Sequence, residues 1–278
     1  MATLALTFSI SENAHDPLVA ELNELGFHGF ETVDGVLTAY VDEPVFSRET
    51  EAHLMHWIKA HGYNSDIRRS LLVDENWNAK WESTIEPLSV GPFVVAPTWA
   101  DVSSFSAEKV VLRIDPKMSF GTGYHESTRI ALRLIDAHIS DGDRVLDAGT
   151  GTGSQAIAAV RGGGSAVIGF DIDPRAVENA AENTKLNRVE SQVEIREGSL
   201  DVVSEYGFEL IVANMISSIL LPMVPELSDR LDANGRLILS GLLKSEEARV
   251  LECLNQNGLL RVAEADENEW WGCVCRKA

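Results

Sequence analysis

Val145-Leu146-Asp147-Ala148-Gly149-Thr150-Gly151-Thr152-Gly153 closes a hydrophobic strand and opens a helix at Ser154. Glycines at such a junction let the backbone turn tightly and let a ligand lie directly against the main chain. A dinucleotide fold prefers G-x-G-x-x-G, which receives a pyrophosphate at the helix N-terminus. Here the spacing is G-x-G-x-G, and an acid, Asp147, ends the strand. A carboxylate there would repel pyrophosphate but suits a ligand that carries a sulfonium and an amino group. Both details disfavour a nicotinamide oxidoreductase.

Downstream of the turn, Gly169-Phe170-Asp171-Ile172-Asp173-Pro174 ends a second strand and starts a second helix. Asp171 stands roughly 20 residues past the glycines, where an acid accepts hydrogen bonds from two ribose hydroxyls. Asp173 is the better placed of the two acids to cap the helix that Pro174 begins. After a third strand, Glu197-Gly198-Ser199-Leu200 forms a turn placed to border a base. Hydrophobic runs at 144–147, 166–170, 193–196, 210–213 and 236–239 alternate with helical patterns at 154–161, 174–187 and 245–257. That rhythm, established from about Arg133 onward, predicts a parallel sheet covered on both faces. Two further strands are predicted at 259–263 and 270–276.

The N-terminal part has a different order. Strands are expected at 4–10, 27–32, 36–41 and 67–73, with helices over 16–25 and 47–60. Asp34-Gly35 marks a hairpin turn, Ser47 is an N-cap, and Gly26 and Gly62 stop the helices. In the second helix Ala52, Met55 and Ile58 fall on one side. Strand, helix, strand, strand, helix, strand is the split βαβ order of a ferredoxin-like domain. The expected organisation is a recognition domain at 1–73, a connecting segment at 74–117 and a ligand-binding domain at 118–278. Trp77 and Trp81, one helical turn apart in the connector, read as packing between domains rather than as a grip on substrate.

Bulk properties narrow the function classes. The 278 residues suit two modest domains, and 45% hydrophobic with 24% charged residues is ordinary for a globular protein. No apolar run approaches the roughly 18 residues of a membrane span. Met1 to Ser9 lacks a basic lead and reads as a strand, not a signal peptide. The three cysteines, Cys253, Cys273 and Cys275, form no disulfide framework or metal set, which points to a reducing cytoplasm. A net charge of −20 argues against direct binding of nucleic acid and favours a basic protein partner or simply solubility. A monomer is the expected state.

Asp115-Pro116, Phe120-Gly121-Thr122-Gly123-Tyr124-His125-Glu126-Ser127-Thr128, the 147–153 turn and Val212-Ala213-Asn214-Met215 together resemble the ribosomal protein L11 methyltransferases. The likeness covers essentially the whole chain, and its Phe-Gly-Thr-Gly-x-His segment is the most specific part. It implies a Rossmann-like class I methyltransferase sheet with a smaller N-terminal ferredoxin-like α+β domain. It also implies S-adenosylmethionine as cofactor and the stalk-base protein L11 as substrate. Thr128, Gly149, Asp171 and Asn214 are the cofactor-contacting positions that the resemblance carries over. With Phe120, Asp147, Gly151, Gly153, Ile172 and Ser199 they make up the expected cofactor set. The chain departs from the family at Tyr124, Glu126 and Ser127, where Thr, Pro and Thr are usual, and at Met215 to Ser217, where Ile-Leu-Ala is usual.

Methyl transfer to an amine needs a neutral lone pair, whereas a lysine with a pKa of about 10.4 is protonated in water. An apolar pocket lowers that pKa, and Asn214 can orient the remaining N–H groups through its side-chain oxygen. Enzymes that methylate planar amides or bases often follow this Asn with Pro-Pro-aromatic; Met215, Ile216 and Ser217 offer no such stack, so an aliphatic amine is the expected acceptor. His125 is a base or a loop-holding residue. The alternatives are a same-fold methyltransferase acting on another protein or a small-molecule amine, and a non-catalytic ribosome-associated binding module.

Overall fold

The computed structural model describes residues 3–63, 67–72, 84–117 and 119–278. Trp77 and Trp81 lie outside them. The chain divides into two compact units, Met1–Lys80 and Trp81–Ala278.

In the first unit β1 (Thr3–Phe8), α1 (His15–Glu24), β2 (Gly29–Val33), β3 (Val36–Asp42), α2 (Arg48–Ala60) and β4 (Ile67–Leu72) follow in chain order. The strands form one antiparallel sheet in the order β2-β3-β1-β4, the split βαβ topology expected from the sequence. Asp34 and Gly35 both take positive φ, 50° and 76°, as the two-residue hairpin turn requires. Ser47 caps α2 by accepting a hydrogen bond from the Thr50 amide at 3.1 Å. Leu6, Phe8, Leu18, Leu22, Leu37 and Leu54 fill the core between helices and sheet. One expectation is corrected: α2 buries Leu54 and Ile58, whereas Met55 is exposed. The inward stripe runs through Leu54, half-buried Trp57 and Ile58, one side step from the Ala52 and Met55 positions that spacing alone suggests.

The second unit opens with a small sheet of β5 (Leu88–Val90), β6 (Phe93–Ala96) and β7 (Val110–Arg113). Then come α3 (Glu126–His138), β8 (Arg144–Ala148), α4 (Ser154–Arg161), β9 (Ala166–Asp171), α5 (Pro174–Leu186), β10 (Val193–Glu197) and β11 (Phe208–Asn214). The unit closes with α6 (Ser217–Arg230), β12 (Leu231–Leu243), α7 (Glu247–Gln256), β13 (Leu259–Glu267) and β14 (Trp270–Lys277). Seven strands order as β10-β9-β8-β11-β12-β14-β13; the first five are parallel and β14 is antiparallel to both its neighbours. Period-two alternation divides the core. Leu146, Ala148, Ile211 and Ala213 face α6 and α7, whereas Val145, Leu210 and Val212 face α3 and α4.

Three elements go beyond the sequence reading: the β5–β7 sheet, α3 and α6. Helix α6 contains Pro222 and Pro225, each of which removes an amide donor and argues against an uninterrupted helix. Burial of Leu220, Val224 and Leu227 against the sheet outweighs that local penalty. In chain order the sheet grows outward from β8 through β9 to β10, and then crosses to β11 on the other side of β8. This is the topological switch point, and a crevice outside the carboxyl ends of β8 and β11 follows from it.

Candidate active site

A cavity of about 560 Å³ lies at that crevice, within the range of small-molecule sites. Gly149, Gly151, Phe170, Asp171, Ile172 and Asn214 reach it from the carboxyl ends of β8, β9 and β11 and the turns beyond them. Phe120, His125 and Ser127 line it from the segment that leads into α3, and Ser199 from the turn after β10. Met215, Ile216, Ile219 and Met223 form an apolar wall on the start of α6, joined by Gly241 and Trp270.

The glycine turn is shaped by contacts that a side chain would destroy. Gly151 has φ +54°, and a Cβ there would sit 2.3 Å from the Phe120 carbonyl oxygen. Its amide donates to Asp171 Oδ2 at 2.9 Å, and the Asp173 amide donates to Asp171 Oδ1 at 3.0 Å. Asp171 thus joins the first and second strand ends, while Asp173 caps α5 through the Arg175 amide at 3.0 Å, as the sequence spacing indicates. Thr152 fastens the neighbouring loop: its amide donates to Phe120 O and its hydroxyl to Gly121 O, both at 2.8 Å.

Seven of the ten expected cofactor positions, Phe120, Gly149, Gly151, Asp171, Ile172, Ser199 and Asn214, line this one cavity. The structure does not bring Thr128, Asp147 or Gly153 to its wall. Asp147 is wholly buried behind the turn, where Oδ2 accepts from the Thr150 hydroxyl at 2.6 Å and the Ala156 amide at 3.1 Å. Burial pushes its carboxyl up to about 7, against those two hydrogen bonds. Gly153 starts α4 with φ +79° and packs against Ala180. Thr128 points into the protein with its hydroxyl unpartnered among the described residues, and Ser127 takes the cavity side.

Asn214 is 5% exposed, and neither atom of its side-chain amide has a hydrogen-bond partner among the described residues. A buried amide without partners costs about 1–3 kcal/mol, so this position asks for a ligand that supplies them. His125 caps α3: its Nδ1 accepts from the Ser127 amide at 3.2 Å, which leaves the neutral ring its proton on Nε2. The ring also packs between Phe120, at 5.3 Å between centroids, and Trp270, at 4.4 Å.

Sequence reasoning missed Trp270, Ile219, Met223 and Gly241. The usable signal for Trp270 is topological. A strand antiparallel to the parallel set begins at its carboxyl edge, so the first residue of β14 arrives beside the ligand crevice. Sequence reasoning also missed a ladder of Asn179 and Asn183 on the buried side of α5 and Asn187 at its C-cap, spaced four residues apart. Asn187 exchanges hydrogen bonds with both backbone groups of Arg113. Asn183 accepts from the Asp115 amide at 3.0 Å and donates to Thr152 O at 2.8 Å. Asn179 donates to Pro116 O at 2.6 Å. These side chains secure the 113–116 segment, which leads to the Phe120 loop, beside the glycine turn.

The switch-point cavity, the glycine turn and the second-strand acid define a Rossmann-like S-adenosylmethionine-dependent methyltransferase. The chain belongs to the ribosomal protein L11 methyltransferase (PrmA) family, whose profile matches residues 5–278. A protein of that name from Symbiobacterium thermophilum is 36% identical over 205 residues, 73% of this chain and 66% of the relative. The Geobacter sulfurreducens protein is 41% identical over 74% of this chain and 68% of its own length. The Dictyoglomus thermophilum protein is 30% identical over 100% of this chain and 99% of its own. The crystal structure of a ribosomal protein L11 methylase from Lactobacillus delbrueckii subsp. bulgaricus matches with a TM-score of 0.65 and 27% identity, over 69% of this chain and 99% of that one.

The residues present fit that cofactor. The wall is largely apolar, the glycines leave backbone open at the turn, Asp171 offers carboxylate oxygens, and the Asn214 amide is buried without a partner.

Proposed function

We propose that this enzyme methylates aliphatic amines of ribosomal protein L11, lysine side chains or the N-terminal amine, in the cytoplasm. The observation that carries the reading is the unpartnered Asn214 amide in the cavity wall. The relatives' names supply the protein substrate, and a net charge of −20 suits a basic one. No helix among the described residues is long and apolar enough to cross a membrane.

Gly149, Gly151, Asp171, Ile172 and Ser199 would hold the cofactor, with Asp171 accepting from the ribose hydroxyls. When bound, S-adenosylmethionine would supply an activated methyl group for transfer to the acceptor nitrogen. The protein's own part is to deliver that nitrogen as a neutral amine. Met215, Ile216, Ile219 and Met223 disfavour the ammonium form by excluding water. Asn214 Oδ1 accepts one of the amine's N–H groups and so aims its lone pair. His125 holds the loop by capping α3, since its Nδ1 lone pair is already committed. The N-terminal ferredoxin-like domain, expected at 1–73, selects the protein substrate.

The test is intact-mass spectrometry of purified L11 after incubation with enzyme and S-adenosylmethionine. Mass gains in steps of about 14 daltons, one CH₂ each, support the reading, and peptide mapping locates the amines. No gain, with the cofactor still bound, sinks the L11 assignment and sends the search to other amines.

A further inference from the structure

Of the aromatic rings that line the cavity, three pack in a row and come from two segments far apart in sequence: Phe120 and His125 before α3, and Trp270 at the start of β14. One arginine ties those segments together. Arg129, in the first turn of α3, donates through Nη1 to the carbonyl oxygens of Gly123, at 3.2 Å, and Tyr124. Through Nε and Nη2, at 2.8 and 2.5 Å, it donates to Glu267 Oε1, three residues before Trp270. Arg133 completes the pairing on Glu267 Oε2 at 2.8 Å. Both partners are sheltered, with side chains 17% and 27% exposed. The bond from Arg129 holds the Glu267 carboxyl below its ordinary range. At its start the glycine-rich loop is anchored by Thr152, and at its end by Arg129.

We propose that Arg129 is a positioning residue of the active site, which through the loop carbonyls and Glu267 sets the Phe120–His125–Trp270 aromatic strip against the bound cofactor. A planar guanidinium serves the two carbonyls and the carboxylate at once, whereas an ammonium offers donors from a single point. Arg129 touches no cavity atom itself; it acts through the backbone it fastens. This inference rests on the reading that the cavity takes S-adenosylmethionine.

The experiment is calorimetric titration of S-adenosylhomocysteine into the full-length enzyme and its Arg129→Met, Arg129→Lys, Glu267→Gln and Asp171→Ala variants. Hydrogen exchange over residues 120–125 and 267–271 and thermal midpoints are measured alongside. Arg129→Met is expected to raise Kd and the cofactor KM about tenfold or more, with kcat less affected. Amide exchange rises in both segments, and Arg129→Lys recovers only part of the affinity. Glu267→Gln weakens binding in the same direction, and the double variant Arg129→Met/Glu267→Gln is no worse than Arg129→Met alone. Wild-type Kd and exchange in Arg129→Met and Glu267→Gln overturn the proposal. If Arg129→Met does not fold, the near-isosteric Glu267→Gln decides. Wild-type affinity in Asp171→Ala means the cavity reading has failed; its loss there with retention in the other variants means that only the Arg129 role has.

Discussion

Asn214 is buried at a strand end with an amide that its own protein leaves unpaired. Asn214→Ala is expected to lower kcat for L11 by about 100-fold while the Kd for S-adenosylhomocysteine stays within about threefold. Equal losses in the two measurements would assign the residue to cofactor binding instead. Asp147 makes a pH prediction. Its folded pKa of about 7 lies above an unfolded value near 4. Between those values the folded protein retains a proton that the unfolded chain has released. Its contribution to stability is therefore fullest below pH ~4 and is lost as pH rises towards ~7. Asp147→Asn keeps an acceptor for Thr150 and Ala156 but does not ionise. In urea unfolding the variant is expected to gain on the wild type from pH 5 to pH 8, by on the order of a few kcal/mol of unfolding free energy. A constant difference across that range would show that the carboxyl does not titrate there. The sequence marks Asp147 as special, but its burial behind the turn, away from the cavity wall, becomes visible only when α4 packs over it.

At the scale of elements, the asparagine ladder on α5 substitutes side-chain amides for a missing strand. The 113–116 backbone has Asn183 and Asn187 as partners where a sheet would offer another main chain. Asn183→Ala strands the Asp115 backbone and the Thr152 carbonyl. The expected cost is about 2–4 kcal/mol in denaturant unfolding, well above that of an exposed asparagine such as Asn255. A cost below ~1 kcal/mol would mean that water replaces the ladder. The asparagines at i, i+4 and i+8 were readable as one face, but polar residues on a helix default to a solvated reading. The five parallel strands β8 to β12 were legible because buried parallel strands are short unbroken Val, Ile and Leu runs. Helix α6 was not, because Pro222 and Pro225 contradict it locally and only the sheet's apolar face overrides them.

For the whole molecule, a net charge of −20 predicts a substrate interaction that weakens with salt. The KM for L11 is expected to rise severalfold between 50 and 300 mM KCl, with the cofactor Kd almost unchanged. A flat KM would detach the charge from recognition. The fold class, the order of elements in the first unit, the five parallel strands of the second, the glycine turn and the place of Asp171 at the end of β9 were determined by the sequence itself. Each rests on local physics: period-two and period-3.6 burial, capping, and backbone conformations that only glycine enters easily. What the tertiary structure alone decided is which distant side chains share the cavity. Trp270 meets His125 because β14 runs antiparallel between β12 and β13, and Glu267 meets Arg129 because the β13–β14 hairpin ends beside α3. No local propensity encodes those meetings; they follow from strand order, which is set by burial of both sheet faces at once.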